Sequence, residues 1–363
     1  MAYKLSPLQL FTTMLVFLLG TSIIFGSPKL VPDTWLVDLI TIIPASLLFC
    51  LFVWVASKGK DKGLYLILET AWGKPIGKLF VLCYTVYFLY IASRNIRDMI
   101  ELIMTSLLRF TPDNLLAFLF VLIVAYAAAG GLTVLGRLSV LIATMVVLFF
   151  ATLALFLILS KSVSVERLLP VLSEGYMKVL QAPLKSTIWF PYGEMIVFLV
   201  FFPTLGNARQ FRKIGLISLF SAGAILTFSD LLQTSTLGME NIKFSVFALL
   251  DAARLINISN FITRMDALVA LIIIFGVLLK CAIFLYAGCK GASYVFQITD
   301  KQTNIPFALL IGGFSIIVTR NGAEHVAEGL RYVIYWLHIP LQIILPLATL
   351  ILLWLRNPKG VRL

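Results

Sequence analysis

Charge is scarce in this sequence. Only 13% of its 363 residues are Asp, Glu, Lys or Arg, about half the share of a typical water-soluble domain. Histidine occurs twice, as His325 and His338, and cysteine four times, as Cys50, Cys83, Cys281 and Cys289. No two cysteines form a CxxC pair, all four fall inside or at the edge of apolar segments, and both histidines lie far from them. Disulfide and zinc readings are therefore unsupported. HExxH, GxSxG and P-loop signatures are missing, as is a Ser/His or paired-Asp arrangement within the apolar segments. Without them an enzyme is not expected, and neither is a cofactor or a metal.

What the chain has in excess is apolar surface: 60% hydrophobic residues and a mean hydropathy of +1.00. A soluble fold cannot hide that much, so the solvent for most of the chain is a bilayer. A helix needs about 20 apolar residues to cross one. The sequence offers ten apolar runs, at about 8–25, 35–56, 79–93, 115–129, 138–159, 187–203, 214–237, 267–287, 305–319 and 332–355, several of them short enough that their edges must extend into flanking polar residues. The fold class expected is an all-α integral membrane protein, one domain over 1–363. It divides into repeat one at about 8–159 and repeat two at about 187–355, with outer amphipathic loops at 160–186 and 238–266. In the second loop Phe247, Leu250, Ala253, Leu255 and Ile258 alternate with Asp251 and Arg254, as in a helix lying at the membrane surface. The first apolar run follows one lysine and continues for a full span, so a cleavable signal peptide is not expected.

The 29 basic against 17 acidic residues give +12. These charges sit between apolar runs rather than on one face, which describes topology and argues against nucleic acid. With the N-terminus inside, the cytoplasmic segments hold 15 basic residues against the three acids Asp61, Glu69 and Asp300. The outer segments hold 13 basic residues against 12 acids, Asp38 counted among them. The inner bases, from Lys4 through Lys58, Lys60 and Lys62 to Lys359 and Arg362, crowd beside helix ends, so both termini are expected in the cytoplasm.

Polar interruptions carry the functional signal. The first span reads LLGTSIIFGSP: Gly20, Thr21 and Ser22 break the apolar run, and Gly26 and Pro28 close it. The sixth reads WFPYGEMIVFLVFFP, broken at Pro191 and Gly193 with Glu194 beside them. Proline removes a backbone donor and glycine weakens a helix, so both spans can unwind there. Unwound backbone at membrane depth survives only inside protein or against a wet cavity. Each break alone reads equally well as a kink, yet the two begin the two halves of the chain. Matching broken helices point to a midplane binding site between inverted repeats, although the halves match in hydropathy only.

Glu194 and Lys280, the latter in GVLLKCAIFLY, fall near the middle of their spans. Each costs about 2.5–3.5 kcal/mol or more there unless paired or hydrated. They are expected either to form a structural ion pair or to face a cavity, where a lysine can also replace a cation's charge. Asp230 lies nearer a helix end and is expected to be solvated. The third span ends YFLYIASRNIRDMIEL. Tyr87 is deep enough to line a cavity, while Arg94–Asp98 and Arg97–Glu101 are expected as i,i+4 pairs emerging at the outer surface.

Several separated segments together resemble the B subunits of bacterial spore germinant receptors, a branch of the amino acid/polyamine/organocation permeases. They are SPLQL followed by LLGTSIIFGSP, then GRLSVLIA, RLLPVLSEGYMKVLQAPLKS, FPYGE and TRMDAL, in that order. Thr263 in the last departs from the family, where an acid is usual. The resemblance implies a LeuT-type 5+5 inverted repeat with helices 1 and 6 broken, and a pocket among spans one, three, six and eight. It implies nutrient sensing, typically of amino acids, in a complex with a membrane A subunit and a lipoprotein C subunit in the spore inner membrane. By position, Gly20 falls at the unwound first helix, Tyr87 on the third, Phe190, Pro191, Tyr192, Gly193 and Glu194 at the sixth-helix break, and Lys280 on the pocket side of the eighth. The expectation is thus a sensor that binds a small zwitterion through Gly20, Thr21, Ser22, Tyr87, Phe190 to Glu194, and Lys280. A permease using the same pocket is the rival.

Overall fold

In the computed structural model, residues 5–25, 30–60, 62–205, 207–242, 244–258, 262–263 and 265–356 are described. Lys4, Gly26, Pro28, Asp61, Arg264 of TRMDAL, Lys359 and Arg362 lie outside them. Helix α1 (Pro7–Leu19) opens with a capping box, Ser6 with Gln9, and proline in its first turn, all devices that start a helix. It stops at Gly20, whose backbone is no longer helical, and α2 (Ser22–Phe25) follows. Then come α3 (Thr34–Lys58), the short α4 (Leu64–Trp72), α5 (Lys74–Ser106), α6 (Asp113–Ala129) and α7 (Gly131–Leu159).

The second half begins with α8 (Tyr176–Lys185), which leads into the interrupted sixth span. That span is helical over Ile188–Tyr192 except at Phe190 (φ −133°, ψ 119°), and continues as a tighter 3₁₀ helix over Gly193–Thr204. Next are α9 (Ala208–Leu237), α10 (Met239–Ile242), α11 (Ala248–Arg254) and a two-residue antiparallel ribbon, β1 (Asn257–Ile258) with β2 (Ile262–Thr263). The chain closes with α12 (Asp266–Phe296), α13 (Asp300–Ile317), α14 (Gly322–Glu328), a wide-turned stretch over Gly329–Ile344, and α15 (Leu345–Arg356).

Seven helices among the described residues are long and apolar enough to cross a membrane, and Pro7–Leu19 and Asp113–Ala129 are shorter apolar helices. The protein is therefore a multi-pass membrane protein. The seven do not by themselves reach the ten crossings expected, because the first span is cut short by its own break, the fourth coincides with the 17-residue α6, and the 18-residue α13 of the ninth opens on the polar Asp300, Lys301 and Gln302. Their outer faces carry exposed large apolar side chains, such as Ile43 and Leu47 on α3 and Leu148 on α7, as lipid contact requires.

Inside, α3 packs on α9, α5 on α12, and α6 on α13, while α1 lies against α7, α9 and α12. In the numbering of the expected spans these are two with seven, three with eight and four with nine. Helix α5 is longer than its predicted span: at 33 residues it extends about 50 Å. Arg94, Arg97, Asp98 and Glu101 thus stay on a packed helix rather than leaving it for the outer surface, and both arginines are buried. Asp230, expected to be solvated, is fully buried on α9 among Ser229, Gln233 and Thr234, and Asp38 is buried on the facing α3. Position along a span shows depth but not facing direction, which is why the sequence misplaced Asp230.

Candidate functional site

The two helix breaks and α12 meet at one point. Residues 276 and 280 of α12 are one turn apart and share a face. A side chain at Gly276 would come within 3.5 Å of Gly20, and a Cβ on Gly20 would lie 2.9 Å from Cδ of Lys280. Two glycines thus let the lysine stem lie directly across the break in the first span. Its ammonium ends 2.6 Å from the Glu194 carboxylate, 4.3 Å from the centre of the Phe190 ring and 5.3 Å from that of Phe17. Both charges are withdrawn from solvent, at 0% and 1% exposure. Taking an ion pair out of water is costly, and only close geometry offsets the loss. The two aromatic faces add cation–π attraction.

The expected residues divide into those gathered here and those elsewhere. Glu194 and Lys280 form the ion pair, and Gly20 and Phe190 lie against the lysine. Thr21 donates to Oδ1 of Asn95 on α5 (3.2 Å), and Ser22 is buried beside it in sequence. Pro191 is buried at the break, and the Tyr192 hydroxyl is directed toward Gly223 of α9. Tyr87 and Gly193 belong to a second group built around Gln342. The Gln342 side-chain amide nitrogen donates to the Trp189 carbonyl (3.2 Å) and to the Tyr87 hydroxyl (2.8 Å), and lies 2.9 Å from Nδ1 of His338. Its carboxamide oxygen fills the space over Gly193, where a Cβ would sit only 1.9 Å away. Gln342 and His338 were not singled out from the sequence. The available signal was two polar residues four apart in an apolar run, hence on one helix face.

A cavity of about 740 Å³ leads to the ion pair. Phe190 and Glu194 line it at the break, with Arg94, Asn95 and Asp98 from α5 and His325 and His338 from the last span. Gly20, Thr21, Ser22, Tyr87, Pro191, Tyr192, Gly193 and Lys280 do not line it; they sit behind that wall. At the far end, charged side chains tie α5 to α14. Arg94 donates to the His325 carbonyl (2.5 Å) and lies 3.7 Å from Glu328, while Nε2 of His325 is 3.0 Å from Asp98. Asp98 thus pairs across to α14 instead of with Arg94 along its own helix. The Arg97–Glu101 pair forms as expected, at 2.7 Å. The arrangement suits a small polar molecule: a partly apolar chamber with acidic, basic and imidazole groups at fixed places.

Known proteins resemble this chain in fold and in sequence. The structure shares its fold with a Na+-coupled sialic acid symporter solved in a substrate-bound, outward-open state, at TM-score 0.65 and 10% identity, covering 94% of this chain and 77% of that one. This is the LeuT-type transporter fold. In sequence, Spore germination protein KB of Bacillus subtilis (strain 168) is 29% identical over 96% of this chain and 94% of its own length. Spore germination proteins YndE and A2 of the same organism are 26% and 24% identical, each over 77–78% of this chain and 76–77% of their own lengths. The family model described as "Spore germination protein" matches residues 4–324, and the chain belongs to that family.

Proposed function

We propose that this protein is the nutrient-sensing B subunit of a spore germinant receptor, with a small zwitterion, an amino acid, as its ligand. The supporting observation is the chamber that ends on Glu194 at a broken helix, with Lys280 immediately behind. A buried pair of opposite charges matches a molecule with one ammonium and one carboxylate. On binding, the ligand ammonium takes a place at Glu194 and at backbone carbonyls of the break over Pro191 to Gly193. Lys280 and the amides of Gly20, Thr21 and Ser22 turn to the ligand carboxylate. Phe190, Tyr87 and Tyr192 shape the site. This exchange opens one ion pair and closes two, so the ligand favours a conformation the empty protein does not hold, as signalling requires.

In this reading the chain crosses the spore inner membrane ten times as two inverted repeats, with both termini in the cytoplasm, and signals to a membrane A subunit and a lipoprotein C subunit. The expected result of a germination screen across single nutrients is loss of response to one class in spores lacking this chain. Unchanged responses to every nutrient would refute the proposal. The fold shared with a symporter supports a second reading, a permease for the same class of ligand. Reconstituted protein that accumulates labelled amino acid in proteoliposomes would favour it over pure sensing.

A further inference from the structure

The break in the sixth span exposes backbone groups, yet the chamber does not reach them. Trp189, Gly193 and Gln342 are missing from its lining although their neighbours Phe190, Glu194 and His338 are present. Gln342 closes the gap. Its amide nitrogen donates to the Trp189 carbonyl and the Tyr87 hydroxyl, both within 3.2 Å, and lies 2.9 Å from Nδ1 of His338, which is itself 2.8 Å from that hydroxyl. Its oxygen is fully buried over Gly193 and accepts no hydrogen bond from the described residues. An acceptor buried without a donor costs stability, so Gln342 is an imperfect plug for the gap. The site is instead shaped for a donor: carbonyl, hydroxyl and imidazole converge on one nitrogen, and the glycine leaves room behind it.

We infer that this notch is a ligand subsite for an N–H-bearing group, a primary ammonium or carboxamide, and that Gln342 is its tethered internal occupant, displaced when the nutrient binds. The inference rests on the reading that the nutrient binds at the sixth-span break, and it adds the chemistry of the group received there and the residue that competes for it. Gln342 and His338 lie on the same helix face as part of the last span, and that span continues back to His325 and Glu328, which pair with α5 at the far end of the chamber. Displacing Gln342 therefore acts on an element that also lines the far end of the chamber.

The test is a germination dose–response to each proteinogenic L-amino acid applied singly, in spores carrying Gln342→Ala or Gln342→Met. Methionine keeps the volume and removes the donors. Protein amount is checked by immunoblot of spore membranes, and Glu194→Gln is run beside them. Both Gln342 variants should lower the half-maximal concentration of the active nutrient about three- to tenfold, the equivalent of one net hydrogen bond lost by the competitor. N-trimethylated counterparts, which keep the charge but lack N–H, should gain nothing. A raised or unchanged concentration in the Gln342 variants, with Glu194→Gln still altering the response, overturns the inference and leaves the site standing. Equal gains for trimethylated ligands overturn the N–H assignment. If Glu194→Gln also leaves the response unaltered, the binding-site reading fails first.

Discussion

Lys280 and Glu194 stabilise each other only as a pair. Lys280→Met leaves a carboxylate buried without its cation, so it is expected to cost about 3–5 kcal/mol. The double variant Lys280→Met, Glu194→Leu should recover most of that loss, because an apolar replacement of a buried pair is often neutral or better. Thermal unfolding of the purified protein in detergent measures both. This pair was the most legible feature of the sequence, since a charge inside an apolar run announces itself. Gln342, His338 and Asn95 were not legible to the same degree. A neutral polar side chain interrupts a hydropathy pattern weakly, and its importance depends on partners from distant elements, as with Tyr87 and the Trp189 carbonyl. The direction a side chain faces was equally hidden, so Asp230 and Arg94 were placed in solvent although both are buried.

At the scale of elements, the two breaks followed from Gly20 and from Pro191 with Gly193, and the structure has non-helical backbone at Gly20 and Phe190. The close approach of α12 to the first break was not legible, because it depends on which helices become neighbours. Gly20→Ala brings a methyl group to 2.9 Å from the Lys280 stem and 3.2 Å from the Phe17 carbonyl. Overpacking of that kind costs about 1–3 kcal/mol. The expected outcome is a lower melting temperature with a weakened nutrient response, and a side chain larger than alanine should do worse. Tyr87→Phe removes the hydroxyl that accepts from Gln342 on the last span. It should destabilise by about 1–3 kcal/mol, read by the same melting experiment. The outer end of α5 was misjudged for a different reason: i,i+4 spacing made Arg94–Asp98 plausible, while α14 supplies better partners for both residues.

For the whole molecule, the composition alone established the membrane, whereas the packing of α3 on α9, α5 on α12 and α6 on α13 was not legible, because which spans become neighbours is decided by tertiary structure. Crossing number and orientation follow from thiol labelling in a background where the four native cysteines are replaced. Phe110→Cys, in the fully exposed turn between α5 and α6, should react from outside. Lys60→Cys, between α3 and α4, should react only after permeabilisation. The reverse pattern would invert the topology.

The most direct test of the binding site is the germination dose–response, to the nutrient found by the single-nutrient screen, of spores carrying Glu194→Gln at undiminished protein level. Glutamine keeps the shape of the side chain and removes its charge. Loss of a charged hydrogen bond to the ligand should raise the half-maximal concentration about tenfold or more; a curve superimposable on that of unaltered spores would contradict a ligand site at the broken sixth helix.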